Sequence, residues 1–456
     1  MDDVLFGDAQ ERALAYLATA ETRRVFPDAE ALAGLHAFDE VLPDRPLDAL
    51  STIRLLDTAG SPATVATTGG RYFGFVTGGS LPVATAADWL VTTWDQTGTM
   101  PVNSPTAAML EAVAGRWVRE MLGLPADAAT AFVSGATAGN LVALAAARTH
   151  LLSRVGYDVD KLGLFGAPPI RVVLGVEAHS TLFKVLGVLG FGRERVELVE
   201  ADGEGRMRPD RLPPIDDRTI LILQAGNVNS GASDPFPALI AAAREAGAWV
   251  HVDGAFGLWA AASPRHEHLV EGVGEADSWV TDGHKWLNVP YDCGMVICRH
   301  PQALRGAMGI AAAYMPASEE VPAKDQVLEF SRRPRGIPVW AALRTLGRSG
   351  VAELVDRCCS HARWLAEGLR GLGWEIHNEV VLNQVVASYR DPETTRAIRD
   401  AVERSGEAWF GVTHWQGRDA IRLSVSSWAT TDADVERTLN AIEAAMAPVG
   451  ADTIRA

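Results

Sequence analysis

Short apolar runs at residues 171–176, 194–199, 219–224, 248–253 and 294–298 alternate with segments of helical spacing. No other feature constrains the fold as tightly. Several runs carry Val or Ile in unbroken series, the texture of strands buried on both faces of a parallel sheet. Strands alternating with helices predict an α/β domain with helices on both sides of the sheet. A chain of 456 residues is long enough for a large core and for more than one domain.

The texture changes on either side of this region. Residues 1–60 read as helices broken by Pro and Gly, and the Gly- and aromatic-rich stretch 68–80 reads as a loop or short strand. A helical pattern spans 105–123. The segment Phe132-Val133-Ser134-Gly135-Ala136-Thr137-Ala138-Gly139-Asn140 then reads as a loop feeding an alanine-rich helix. The charged stretch 316–335, with Glu319-Glu320 and Arg332-Arg333, interrupts the alternation. Helices near 338–346 and 350–371 follow, then an α+β tail with runs at 384–389 and 421–425. The expected division is an N-terminal helical segment at 1–95, a large domain at 96–335 with a mostly parallel sheet, and a smaller α+β domain at 336–456.

Composition narrows the partners. With 41 basic and 57 acidic side chains the formal charge is −16, which disfavours nonspecific nucleic-acid binding. Mean hydropathy is +0.05, raised by Ala and Gly, and no run has the length and character of a membrane span. The acidic start, without a basic and apolar leader pattern, leads us to expect a soluble cytoplasmic protein. The four cysteines form no CxxC pair, and adjacent Cys358 and Cys359 in a predicted helix read as packing residues. His266 and His268, two positions apart, do not share a helix face, so no metal site is expected there.

Four places carry candidate chemistry. Lys285 stands in Thr281-Asp282-Gly283-His284-Lys285-Trp286, an unusual setting for a surface lysine, although a solvated loop lysine fits equally. Asp253 ends the apolar run at 248–253. Open α/β sheets bind ligands beyond the carboxyl ends of their strands, and a carboxylate there can pair with a cationic ring nitrogen. Capping the next helix is the plainer role. The small residues from Ser134 to Asn140 can turn backbone N–H groups toward a phosphate at a helix N-terminus, but such turns are common. The endings that mark nucleotide-binding loops are missing. His179, beyond the run at 171–176, can stack on a flat ring and pass a proton, or simply bond to backbone.

Taken together, the order and spacing of these sites resemble the group II decarboxylases that depend on pyridoxal 5'-phosphate (PLP). The likeness is strongest to their aromatic-L-amino-acid branch. It covers roughly residues 35–430 and is most specific in Asp282-Gly283-His284-Lys285-Trp286-Leu287-Asn288-Val289-Pro290-Tyr291-Asp292-Cys293-Gly294. The resemblance implies the fold of aspartate aminotransferase (fold type I) and a homodimer whose active sites are completed by the neighbour. It implies that Lys285 holds the cofactor covalently and that Asp253 pairs with its ring nitrogen. Ala255 would lie on one face of the ring and His179 on the other. Ala136 and Thr137 would bind the phosphate, with His284 and Asp282 close by. Gln224 would lie near the cofactor and Phe75 would line the substrate pocket.

The implied reaction is decarboxylation of an L-amino acid, aromatic or bulky and apolar, to its amine. One departure bears on it. Family members carry a mobile loop whose tyrosine protonates the carbanion, but residues 322–333 contain no tyrosine; Tyr314 lies upstream, and Phe330 is the one aromatic. Oxidative decarboxylation with deamination to an aldehyde, transamination, or an aldol-type cleavage therefore stay open. Arg71 and Arg422 are candidate carboxylate binders or structural ion pairs.

Overall fold

The computed structural model describes residues 3–310 and 321–451, with side chains described through residue 447. Tyr314 and the Glu319-Glu320 pair lie outside the described residues. The chain forms two compact units. One runs from Ser80 to Ser360 and includes Asn378–Gln384; the other holds the chain through Gly79, His361–His377 and everything from Val385 onward. Twelve strands are described: β1 (Tyr72–Phe73), β2 (Ala129–Val133), β3 (Arg171–Gly175), β4 (Glu197–Val199), β5 (Thr219–Gln224), β6 (Trp249–Asp253), β7 (Ser278–Asp282), β8 (Gly294–Cys298), β9 (Glu375–Ile376), β10 (Gln384–Ser388), β11 (Trp409–Trp415) and β12 (Arg418–Ser424).

The larger unit is built on a seven-stranded sheet in the order β2-β8-β7-β6-β5-β3-β4. Strands β3 to β7 are parallel to one another, and β8 runs antiparallel to both β2 and β7. The sheet is thus mostly parallel, as the unbroken apolar runs predict. Two strands are not among those runs. β2 reads as loop because it opens on Ala and Thr, and β7 is interrupted by Ser278, Thr281 and Asp282.

Helix Ala136–Arg154 lies on this sheet and buries Ala143, Ala145, Ala146 and Ala147 among Val133, Leu174, Ile222, Val280 and Val296. Alanine-rich composition thus has a packing cause: short side chains let the helix axis approach the strands closely.

The smaller unit has a five-stranded sheet, β1-β11-β12-β10-β9. Its first strand comes from the N-terminal part of the chain, with Tyr72 and Phe73 running parallel to Trp409 and Phe410. A boundary at residue 95 groups those residues with the helices before them; the sheet joins them to the C-terminal part. Arg71 is consumed here. Its buried guanidinium donates to the carbonyls of Glu21 and Arg23 at 3.0 Å and of Glu407, and pairs with Asp434 at 3.5 Å. Structural pairing is therefore its role, not a free carboxylate site. Cys358 and Cys359 are buried in helix Gly336–Gly371, which breaks at Gly347 (φ 60°), between the two helices expected from sequence.

Candidate active site

Side chains on a strand alternate faces, so Trp249, His251 and Asp253 share one side of β6, and Ser278, Val280 and Asp282 share one side of β7. Both rows face helix Ala136–Arg154. Asp253 and Asp282 therefore end neighbouring parallel strands on the same side of the sheet, at its carboxyl edge.

The backbone stitches the two ends together. Gly254 N–H donates to the Val280 carbonyl at 3.0 Å, and Asp282 N–H donates to the Ala255 carbonyl at 2.9 Å. The buried Asp253 carboxylate accepts from Ala255 N–H on Oδ1 and from Asn140 Nδ2 on Oδ2, each at 3.2 Å. Gln224 stands beside it in register on β5, and Gln224 Oε1 accepts from Asn227 Nδ2 at 3.3 Å.

Asp282 is the hub of the site. Its Oδ1 accepts from the N–H of Ala136 at 2.7 Å. Its Oδ2 lies 3.3 Å from Lys285 Nζ and 3.6 Å from His284 Nε2. The Lys285 side chain is 21% exposed, so its amine is reachable while its counter-ion is buried. The turn that presents it is tightly tied. Gly283 and His284 N–H donate to the Cys293 carbonyl, and Asn288 N–H donates to the Lys285 carbonyl. Asn288 takes φ +56°, a left-handed conformation that asparagine tolerates better than most residues. His284 stacks on Tyr291 with ring centroids 4.3 Å apart, and its Nδ1 accepts from Cys293 N–H at 3.1 Å. The proton of the neutral ring therefore sits on Nε2, facing Asp282. Burial pulls the His284 pKa down, against the pull of Asp282.

Ala136 and Thr137 open helix Ala136–Arg154, whose N-cap is Gly135 with no capping side chain. First-turn N–H groups of a helix lack intrahelical acceptors and attract anions. His179 stands beyond the end of β3 on the same carboxyl edge. There it caps helix Ser180–Val188, its Nδ1 accepting from Thr181 N–H at 3.3 Å. The structure thus links Ala136, Asp253, Ala255, Asp282, His284 and Lys285 by direct contacts. Phe75 belongs to the other unit, where it packs on Trp409 at 5.4 Å and is 65% exposed. Sequence reasoning missed Asn140 and Ser278 and assigned no role to His251. Only His251, two residues before Asp253 on the same strand face, carried a readable signal.

This donor set fits a phosphorylated pyridine aldehyde. A primary amine can take its carbonyl, a buried carboxylate its protonated ring nitrogen, and the first turn of a helix its phosphate. Among the described residues no helix is long and apolar enough to cross a membrane.

The sequence profile of the pyridoxal-dependent decarboxylase conserved domain matches residues 49–390. The chain is 28% identical over 390 residues to an aromatic-L-amino-acid decarboxylase of Bacillus atrophaeus, covering 79% of this chain and 78% of the relative. It is 28% identical over 367 residues to 4-hydroxyphenylacetaldehyde synthase of Rhodiola rosea, covering 73% and 72%. Its fold superposes on Oryza sativa TDC, solved with PLP and tryptamine, with a TM-score of 0.90, 23% identity and 98% of each chain covered. The fold is that of the type I PLP enzymes, and the cofactor is pyridoxal 5'-phosphate. The chain belongs to the pyridoxal-dependent decarboxylase family and is a PLP-dependent carboxy-lyase.

Proposed function

We propose that this enzyme decarboxylates an L-amino acid, aromatic or bulky and apolar, to its amine, with Lys285 as the residue that holds the cofactor. The observation that carries this reading is the accessible Lys285 amine 3.3 Å from the buried Asp282, beside a second buried carboxylate, Asp253. Asp253 would pair with the ring nitrogen, Ala255 and His179 would flank the ring, and Ala136 and Thr137 would hold the phosphate, with Gln224, Asp282 and His284 around it. When bound, the cofactor supplies an electron sink for the pair left on Cα as CO₂ departs. Lys285 would hold the cofactor through its amine, and its Nζ, with His284 Nε2 on the same Asp282 carboxylate, would carry protons. The likeness to an aromatic-L-amino-acid decarboxylase supports an apolar or aromatic substrate, with Phe75 as the aromatic expected to line its pocket.

A second product is favoured by one observation: residues 322–333 carry no tyrosine to deliver a proton to Cα, Tyr314 lying upstream. Without that proton the substrate can be oxidised. Amino acid, O₂ and water then give aldehyde, CO₂, ammonia and hydrogen peroxide. The likeness to an aldehyde synthase supports this reading too. A homodimer is supported by helix Asp3–Ala18, which buries no residue and exposes Val4, Phe6, Leu14 and Leu17. Four free buried cysteines suit the reducing cytoplasm.

The test is a panel of L-amino acids with purified protein and added pyridoxal phosphate, scoring CO₂, ammonia, peroxide and the organic product by mass. Amine and CO₂ without ammonia support simple decarboxylation and name the substrate. Aldehyde with ammonia and peroxide supports the second reading. Cofactor binding with no product from any amino acid refutes both.

A further inference from the structure

Behind Asp253 runs a line of buried polar side chains with one direction. Trp249 Nε1 donates to Ser278 Oγ at 3.0 Å. Ser278 Oγ meets His251 Nδ1 at 2.9 Å, and His251 Nε2 meets Asn140 Oδ1 at 2.8 Å. Asn140 Nδ2 ends the line on Asp253 Oδ2 at 3.2 Å. The polarity follows from the end group. The carboxylate only accepts, so Asn140 presents its N–H₂ to Asp253 and its oxygen to His251. His251 must then carry its proton on Nε2, which leaves Nδ1 to accept from the Ser278 hydroxyl. That hydroxyl in turn accepts from the indole, which only donates. Burial pushes the His251 pKa down to about 4, so the ring is neutral and the order of donors is kept at neutral pH.

Core packing does not require this line. Around it the helix and sheet bury Val142, Ala143, Leu144, Ile222 and Val280, and apolar residues would fill the same space without desolvating polar groups. Asn140, His251 and Ser278 are 0% exposed, yet each is satisfied within a chain that terminates on one carboxylate. The torsion that sets a carboxylate plane is soft. The Ala255 N–H on Oδ1 alone leaves Asp253 free to pivot, and the second donor on Oδ2 fixes its plane.

We infer that Asn140 and His251 are positioning residues for the cofactor, holding the Asp253 carboxylate in one rotation opposite the ring nitrogen. This rests on the reading of Asp253 given above. Asn140 acts on Asp253 directly, and His251 acts by holding the amide of Asn140.

The experiment titrates pyridoxal phosphate into apo-protein, reading the dissociation constant, the visible absorbance band of the bound cofactor and its pH titration, alongside the apo Tm. Asn140→Leu is expected to weaken binding about tenfold, the effect of losing a hydrogen bond to a charged group, His251→Leu to weaken it in the same direction by less, and both to displace the pH titration of the band. His251→Gln, which can still donate to Asn140, is expected to recover most of the affinity. Adding Asn140→Leu to Asp253→Ala should change nothing further, because the two act through one group. Leucine variants that lower the apo Tm but leave the band and the affinity as in wild type would overturn the inference, as would additive effects in the double variant. If leucine at 140 prevents folding, Asn140→Asp, which offers Asp253 an oxygen in place of the N–H, serves the same comparison. Asp253→Ala separates the two claims. No effect there refutes the reading of Asp253 itself, whereas an effect there with none at 140 and 251 refutes only the positioning role.

Discussion

Replacing Gly294 by alanine is expected to loosen the cofactor site from behind. Gly294 opens β8 against the start of helix Ala136–Arg154. A Cβ there would sit 2.5 Å from Gly135 Cα, 2.7 Å from Gly135 C and 2.8 Å from Asp282 Oδ1. Carbon atoms rest at about 3.5–4.0 Å, so the helix start or the strand must move by about 1 Å. Two of the three clashing atoms are backbone, so no side-chain rotation relieves the contact. Overpacking of this kind costs about 1–3 kcal/mol. The displacement falls on the N–H of Ala136 and the carboxylate that receives it, and about 1 Å of misplacement at a reacting centre costs on the order of 100-fold in rate. The assay pairs thermal unfolding of apo-protein with cofactor titration and turnover. Gly203→Ala serves as control, because nothing lies within 4 Å of its added Cβ. A Gly294→Ala protein that matches this control in Tm, cofactor affinity and turnover would show that the helix start does not depend on the close approach at β8.

Other outcomes follow from the same geometry. Lys285→Ala should abolish the visible band of the bound cofactor while leaving apo-protein folded; an unchanged band would remove Lys285 from its assigned place. Folding stability should carry a His251 signature. From the ordinary 6.5 its pKa falls to about 4. Below pH 6.5 the unfolded chain takes up a proton that the folded chain refuses, so this contribution is lost as pH falls through that window, on the order of 3 kcal/mol in all. Buried Asp234, raised to about 6 from 3.8, works in the opposite sense, its contribution being lost as pH rises from 3.8 to 6. The difference in stability between wild type and His251→Gln isolates the histidine, and it should shift in favour of the variant from pH 6.5 to 4; a flat difference contradicts the burial argument. The four cysteines are buried, with the Cys293 thiol pushed up by desolvation, so a thiol reagent should label none in native protein and all four after denaturation.

Much of this was legible in the chain. Unbroken apolar runs specify strands buried on both faces, because only such strands avoid polar side chains on either side, and their alternation with helices specifies the α/β class. Asp253 was visible because it ends such a run, where spacing alone places it at the sheet's carboxyl edge, and Lys285 because of the local motif Asp282-Gly283-His284-Lys285-Trp286. Tertiary structure decided the rest, for reasons of sequence distance. Arg71 lies 336 residues from Glu407, and no local pattern reveals that its charge is already spent. Tyr72 and Phe73 pair with a strand formed far along the chain. Asp282 became a hub only when the helix beginning at Ala136 docked above β7, 146 residues earlier in sequence. Asn140, one polar residue in an alanine-rich helix, acquired its partners from strands 111 and 113 residues away. Local spacing determines which face a side chain takes on its own element. Which groups then meet is decided by the packing of elements, whose contacts the sequence does not order.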